Sequence, residues 1–190
     1  MQAGATPHPF WNFSLEVYSG EGVARSCIEL QDRHGVDVNV LLFCCWMGAS
    51  GRGRLQAEEL RRLTGKVGPW QRDIVMPLRA ARRRLATGEN LPIAPDEAAA
   101  ALRRRVADAE MEAEHVEHLL LAENYAVPGN RDRPAKERLA ACLANLGLYS
   151  QQLGIKVERR DRAAVANILT SCFPMLQAHE IDHALNLDRP

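Results

Sequence analysis

The stretch LQDRHGVDVN at residues 30–39 places several polar side chains directly before an apolar segment. Carboxylates, imidazoles and amides can bind metals, transfer protons or hold a substrate. These side chains form a candidate ligand-binding cluster, whose members are Gln31, Asp32, His34, Asp37 and Asn39. Trp46 and Trp70 are candidate apolar walls for the same site, although large apolar residues at helical spacing more often belong to a core.

The same stretch also has an architectural interpretation. Asp37 is a suitable N-cap for a helix that starts at residue 38, and Gly35 is a suitable end for the helix before it. Asn39 would then lie inside a helix that is apolar on all sides and therefore central. A buried asparagine needs partners, which are either the ends of neighbouring helices or a ligand. The sequence leaves both possibilities open.

Two histidine motifs suggest metal chemistry. HEIDH at residues 179–183 fits the H-E-x-x-H pattern, in which two histidines on one helical face hold zinc. The pattern lacks a third ligand downstream and a strand that could bind a peptide, so we interpret it as structural. The pair of E-x-x-H elements at 112–115 and 180–183 could serve a di-iron bundle only if all ligands point inward. The apolar stripe of the long helix predicts that His115 and His118 point outward. The stripe consists of Leu102, Val106, Ala109, Ala113, Val116 and Leu120. We therefore predict no metal and no other cofactor.

Opposite charges divide the middle of the chain. Residues 52–86 contain ten basic and three acidic side chains, whereas residues 87–127 contain three basic and nine acidic ones. Arg72, Arg79 and Arg83 are predicted to line one side of a helix and to form a candidate docking face for an acidic protein partner. The alternative is a solvated face that the acidic long helix partly neutralises. The pattern does not favour nucleic acid, because no aromatic interleaving or known binding module accompanies the arginines.

The composition is that of an ordinary intracellular protein. The 190 residues include 24 basic and 24 acidic side chains, so no overall field attracts nucleic acid or membranes. The five cysteines are an odd number, and two of them are adjacent in an apolar run, which favours reduced thiols in a cytoplasm. The sequence shows no signal peptide, no apolar run long enough to span a membrane, no nucleophile elbow and no phosphate-binding loop.

Apolar residues recur at helical spacing along most of the chain, which predicts an all-α fold. We expect a flexible tail over residues 1–9 and a single compact multi-helix domain over 10–190, built around the apolar helix at 38–49. Gly35, Gly65 and Gly88 are expected to follow helix ends, and Pro77 to kink or restart a helix. The predicted helices cover residues 10–18, 21–34, 38–49, 54–64, 69–86, 95–125, 134–153, 160–173 and 176–186.

The segment from residue 17 to residue 47 resembles the signature of a family of short, uncharacterised proteobacterial proteins. The matching positions are Tyr18, Gly22, Val23, Cys27, Leu30, Gln31, Asp32, Gly35, Asp37, Val38, Asn39, Leu41, Leu42 and Trp46. Val17, Ile28 and Met47 stand where leucine is usual. FWNFSL at 10–15 and PWQRDIVMPLRAARRRL at 69–85 extend the resemblance over roughly the first half. The resemblance implies a bacterial source and supplies no activity and no catalytic residue.

These observations favour a non-catalytic interaction or regulatory protein. The alternative is a helical enzyme or small-molecule binder with its site around Gln31–Asn39. The two interpretations predict different arrangements of the cluster side chains. A binding site requires them to converge on an open cavity, whereas a purely architectural role places them in helix caps and at the surface.

Overall fold

The computed structural model describes residues 8–88, 97–123, 125 and 128–187. The described residues form an all-α fold, as predicted. Residues 1–7 of the expected tail, and the chain just before residue 97 where the long helix was expected to start, lie outside them. The helices are α1 Pro9–Tyr18, α2 Val23–His34, α3 Val38–Ala49, α4 Ala57–Trp70, α5 Met76–Thr87, α6 Glu97–Ala122, α7 Ala135–Gln152, α8 Arg159–Cys172 and α9 Ala178–Leu187.

Helix α3 is the centre of the fold, and its bounds are those predicted from the sequence. Nearly all of its side chains are buried, and the surrounding helices share one hydrophobic core with it that extends from Phe10 to Ile181. Such enclosure is expected for a helix that is apolar on all faces. None of the described helices combines the length and the apolar character that a membrane span requires.

Helix α7 packs against α3 at very short range. The close approach occurs at Gly48, where an added Cβ atom would lie 2.4 Å from the backbone nitrogen of Cys142. Asn145 of α7 is fully buried and donates hydrogen bonds to the carbonyl oxygens of Cys44 (3.2 Å) and Gly53 (3.1 Å). The side-chain oxygen of Asn145, Oδ1, accepts a hydrogen bond from the backbone N–H of Leu55 at 2.8 Å. Helix α7 therefore fixes both α3 and the loop that leaves it.

The segment from α4 to α5 differs from the prediction. Helix α4 continues past Gly65 and through Pro69, so the expected helix end at Gly65 is wrong. A π-helical turn, Gln71–Val75, joins α4 to α5, and the Met76 N–H donates to the carbonyl of Gln71. Pro77 therefore follows a widened turn rather than a break. Such π turns locally widen a helix and shift its register, and they are frequent at functional sites.

The buried face of helix α6 agrees only in part with the apolar stripe, because Ala113 is buried as predicted whereas other members of the stripe are exposed. The expected stripe included Leu102 and Val116, but Leu102 is 42% exposed and Val116 is also exposed. The buried residues are Glu110, Ala113, Glu117, His118, Leu121 and Ala122. The prediction that His118 points outward is therefore wrong. Polar partners on other helices make the burial of these polar side chains possible, and hydrophobic periodicity does not detect such partners.

The contact between α3 and α7 gives a stability prediction. Gly48→Ala is expected to lower the free energy of unfolding by about 2 kcal/mol or more, because overpacking against a backbone forces the helices apart. Gly147→Ala on α7 is the control, since open space surrounds Gly147 and alanine favours helix by about 1 kcal/mol. Urea unfolding of both variants measures the difference. Equal stability of the two variants would contradict the close packing.

Candidate functional site

The LQDRHGVDVN stretch forms the junction between α2 and α3. Gly35 adopts a left-handed conformation with φ of 66°, and its N–H donates to the carbonyl oxygen of Gln31 at 2.8 Å. The Asp37 carboxylate accepts the backbone N–H of Asn39 at 2.9 Å, which confirms the predicted N-cap. The junction places Gln31 at the end of one helix and Asn39 at the start of the next.

Asn39 contacts a buried carboxyl group on α6. Its side-chain N–H donates to Glu117 Oε2 at 2.8 Å, and Glu117 is 0% exposed. Burial and the negative charge of neighbouring Asp37 raise the pKa of Glu117 to about 9, although the hydrogen bond from Asn39 opposes this shift. Glu117 therefore holds a proton at neutral pH.

Arg79 connects three helices. Its guanidinium donates to Gln31 Oε1 on α2 and to the Glu110 and Glu114 carboxylates on α6, with 3.0 Å between Arg79 Nε and Glu110 Oε1. Arg82 also binds Glu110, through both Nε and Nη2. Burial alone lowers the pKa of Arg79, but its hydrogen bonds to the Glu110 and Glu114 carboxylates and their negative charges outweigh burial and raise the pKa. Arg79 is therefore a charged internal tie between α2, α5 and α6.

His118 is buried between two aromatic rings. Phe10 stacks on it with 4.4 Å between ring centroids, and Trp11 meets it edge-on at 4.9 Å. The His118 Nδ1 atom lies 2.8 Å from the carbonyl oxygen of Glu114, so Nδ1 must carry the hydrogen and donate. Burial lowers the pKa of His118 to about 4, so the ring is neutral and its Nε2 is an acceptor. Among the described residues, Nε2 has no hydrogen-bond partner.

Asn39, Arg79 and His118 line a pocket of about 380 Å³, which lies between α1, α2, α3, α5 and α6. A volume of this order suits a small organic molecule. The pocket brings together four of the sequence-predicted residues from two separate candidate sets, namely Gln31, Asn39, Arg79 and Arg83. Apolar side chains cover much of the remaining wall, with Trp11, Leu15, Ile28, Val38, Leu42 and Met111 among them.

The other predicted residues lie elsewhere. Asp32 is exposed, Asp37 caps α3 behind the pocket, and His34 donates from Nε2 to Asp161 on α8 at 2.8 Å. Arg72 is exposed and pairs with its neighbour Asp73. Asp37 is bound to a helix end and His34 to a distant helix, whereas Asp32 and Arg72 are exposed. None of these four side chains lines the pocket with Gln31 and Asn39.

The two tryptophans predicted as pocket walls have structural positions instead. Trp46 lies in the core with the Arg52 guanidinium 3.9 Å from the centroid of its ring. The Trp70 indole N–H donates to the carbonyl oxygen of Ala113 at 2.9 Å. Trp11 of α1 provides the aromatic wall of the pocket. It lies far from the polar cluster in sequence, and only the packing of α1 beside α6 brings it there.

The sequence interpretation also missed the polar face of α6. Glu110, Glu114 and His118 line the pocket, and Glu117 lies behind it. Their spacing of four and then three or four residues places them on one helical face, opposite the arginines of α5. The sequence showed that residues 52–86 are basic and residues 87–127 acidic. In the structure, Arg79 and Arg82 of the basic segment form ion pairs with glutamates of α6.

HEIDH lies at a second pocket, of about 570 Å³, between α7 and α9. Glu180 accepts the backbone N–H of Gln177 at 3.0 Å and pairs with Lys136 at 3.1 Å. Within the ranges that the structure describes, no group of three or more histidine, cysteine, aspartate or glutamate side chains is arranged to hold a metal ion.

A family model described as "Protein of unknown function (DUF2390)" matches residues 9–121, which is more than half of the chain. No curated protein and no solved structure gives a significant match. The matched range includes every residue that lines the pocket between α1 and α6, from Trp11 to His118.

The position of Arg79 gives a prediction about the candidate docking face. Arg79 is 16% exposed and paired, so it is not part of an exposed arginine face. Arg79→Gln should lower the free energy of unfolding by about 3 kcal/mol, because it leaves partly buried Glu114 without a cation and Glu110 with Arg82 alone. Arg83→Gln on the exposed side should change it by less than about 0.5 kcal/mol. Thermal or urea unfolding compares the two, and similar effects would disprove the internal tie.

The protonated state of Glu117 predicts a pH dependence. Folded Glu117 keeps its proton above the pH at which the unfolded chain releases it, so its contribution to stability falls as pH rises from about 4.5 to about 9. One proton corresponds to about 1.4 kcal/mol per pH unit. Glu117→Gln can still accept from Asn39 and should remove this slope between about pH 7 and pH 8, where His118 is neutral in both states and the cysteines of the unfolded chain are still mostly protonated.

The control for this experiment is Glu112→Gln, which changes an exposed carboxylate on the same helix and should preserve the wild-type slope. Denaturant unfolding at a series of pH values gives the slopes. A Glu117→Gln variant with the wild-type pH dependence would show that Glu117 is ionised in the folded protein.

Proposed function

Because the chain belongs to the DUF2390 family, whose function is unknown, we propose its function from the geometry of the site: it is a non-catalytic protein that binds a small organic molecule in the pocket between α1, α2, α3, α5 and α6. One observation carries this proposal. Two buried polar atoms at the pocket lining, Ser14 Oγ and His118 Nε2, have no partner among the described residues. A buried polar atom without a partner costs about 1–3 kcal/mol, so its retention at a pocket favours a binding function.

The composition of the pocket supports binding. Ligand pockets are mostly apolar and contain a small number of convergent polar groups that orient the ligand. Here Trp11 and Leu42 stand near the amides of Gln31 and Asn39. The side chain of Asn39 is held by its hydrogen bond to Glu117 on α6. The ring of His118 is held by its hydrogen bond to the backbone carbonyl of Glu114, one turn earlier on the same helix. Their orientation is therefore fixed before a ligand arrives, which reduces the entropic cost of binding.

The state of the titratable groups supports the absence of catalysis. Glu110 is held by two arginines, which keep its pKa low although burial alone would raise it. The depressed pKa of His118 leaves it unprotonated at neutral pH, so it cannot supply a proton. Glu117 holds a proton but lies behind the pocket wall with no exposed surface. This arrangement suits recognition better than proton transfer.

A second candidate is docking of an acidic protein partner, in the bacterial cytoplasm that the sequence favours. Exposed apolar side chains at the pocket mouth favour it, because Leu15, Ile28 and Met111 are each more than 40% exposed. Arg83 lies at the same mouth. The five cysteines are free and buried, which supports a reducing compartment. A docking surface without a ligand function would give a different result in the next experiment.

Ala107→Phe tests the binding function. Ala107 is half-buried at the pocket, and a phenylalanine there should occupy part of its volume. Ala109→Phe is the matched control, since Ala109 is half-buried on the same helix outside the pocket lining. A fragment library screened by ligand-observed NMR should give binders to the wild type and to Ala109→Phe that Ala107→Phe no longer binds.

Urea unfolding of both variants first establishes that they are folded. If Ala107→Phe is folded and every wild-type binder still binds it, the pocket is not the binding site. If the wild type binds no fragment, the proposed ligand function is wrong and the docking candidate takes its place.

A further inference from the structure

We infer that the ligand of this pocket is an amphipathic organic molecule with one negative charge, whose anionic group lies at Arg83 on α5 and whose apolar body lies against α1, α2 and α3. The inference rests on the proposed binding function, because it specifies the chemistry of the molecule that the same pocket takes. Charge, hydrogen-bonding capacity and wall composition support it separately.

The charged residues of the pocket leave one cation uncompensated. Among the residues that the structure describes, three arginines and two glutamates line it. Arg79 and Arg82 form ion pairs with Glu110 and Glu114, whereas Arg83 is exposed and has no ion-pair partner in the part of the chain that the structure describes. The lining therefore carries an excess of one positive charge, which favours an anion.

The carboxylates of the pocket offer little to a cationic ligand. Both oxygens of Glu110 already accept hydrogen bonds, Oε1 from Arg79 and Arg82 and Oε2 from Arg82. Glu114 binds Arg79 through Oε1, and burial raises its pKa despite this contact, which weakens its negative charge as pH falls. In the described lining, a cationic ligand would therefore meet three arginines and only one carboxylate with an unused oxygen, that of Glu114.

Gln31 and Arg83 provide unused hydrogen-bond donors at the pocket. Gln31 uses its carbonyl oxygen to accept from Arg79, which leaves its amide N–H groups without a partner among the described residues. The Arg83 guanidinium has donors only. A planar carboxylate accepts two parallel hydrogen bonds from a guanidinium, and such charge-assisted bonds are stronger than neutral ones. The polar side of the pocket is thus suited to an acceptor with negative charge.

The walls of the pocket that α1, α2 and α3 provide are mostly apolar, although Ser14 and Asn39 also lie there. Trp11, Val38 and Leu42 form their inner part, and Leu15, Ile28 and Met111 remain exposed at the mouth. Covering such surface with an apolar group stabilises a complex through the hydrophobic effect. The volume of about 380 Å³ accommodates an aromatic ring system or a short alkyl chain with its acidic group. A strongly polar ligand would leave these walls unmatched.

A panel of matched triplets tests the inference. Each triplet consists of a carboxylic acid, its primary amide and the corresponding amine, on a phenyl, an indole or a linear alkyl body, for example phenylpropionate, indolepropionate and octanoate. Dissociation constants are measured by ligand-observed NMR, and only binding that Ala107→Phe abolishes is counted. The acids should bind the wild type at least about tenfold more tightly than the amides, and the amines should bind most weakly.

Arg83→Gln provides the residue-specific test. It should reduce the affinity of each acid to about that of its amide and leave the amides unchanged. Arg84→Gln is the matched control, because Arg84 is the next residue on α5, is exposed and does not line the pocket. It should preserve the preference for acids. The preference should also weaken as salt concentration rises, since Arg83 is exposed.

Amides or amines that bind as tightly as the acids would overturn the inference and leave the binding function intact. An acid preference that survives Arg83→Gln would overturn the assignment of the anion site to Arg83. If no member of the panel binds, the inferred ligand class is wrong, and the fragment screen shows separately whether the pocket binds other molecules.

Discussion

Asn39 lies on a helix that other helices enclose on every side, so its amide must find its partner inside the protein. The partner is Glu117, and this contact requires α6 to turn that face towards α3. Glu110, Glu114 and His118 lie close to the same face, so they turn inward with Glu117. The polar groups that α6 contributes to the pocket therefore lie close to the face that this buried hydrogen bond joins to α3.

The inward carboxylates in turn determine how α5 is held. No side chain of α5 is fully buried, and Leu78 and Leu85 are only half-buried, so apolar contact contributes less to its attachment than to that of the central helices. Arg79 and Arg82 attach it through ion pairs with α6, and Arg79 also binds Gln31 of α2. Val75 is the last residue of the π-helical turn and is fully buried. It immediately precedes α5, which contains these two arginines. One wall of the pocket is thus held mainly by charge, whereas the opposite wall is held by apolar packing.

The C-terminal helices support the site without lining it. Helix α7 holds α3 through the close contact at Gly48 and through Asn145. Helix α8 holds the end of α2, because Asp161 accepts from His34 and pairs with Arg33. Residues 9–121, which match the family, contain the whole pocket, while α7 and α8 fix the two helices that meet at LQDRHGVDVN. A polar cluster needs such support if its side chains are to keep one orientation.

The sequence by itself determined the all-α fold, the bounds of α3 and the capping role of Asp37, because each depends on residues within a few positions of one another. It also identified Gln31, Asn39, Arg79 and Arg83, but it could not separate them from Asp32, His34 or Arg72. Only the tertiary structure decided that Arg79 is largely buried and paired whereas Arg83 is exposed. It also decided that α6 buries glutamates rather than Leu102. Finally, it decided that Trp11, and neither Trp46 nor Trp70, lines the pocket. The physical reason is that burial of a polar side chain depends on a partner from a distant helix, and local periodicity contains no information about that partner.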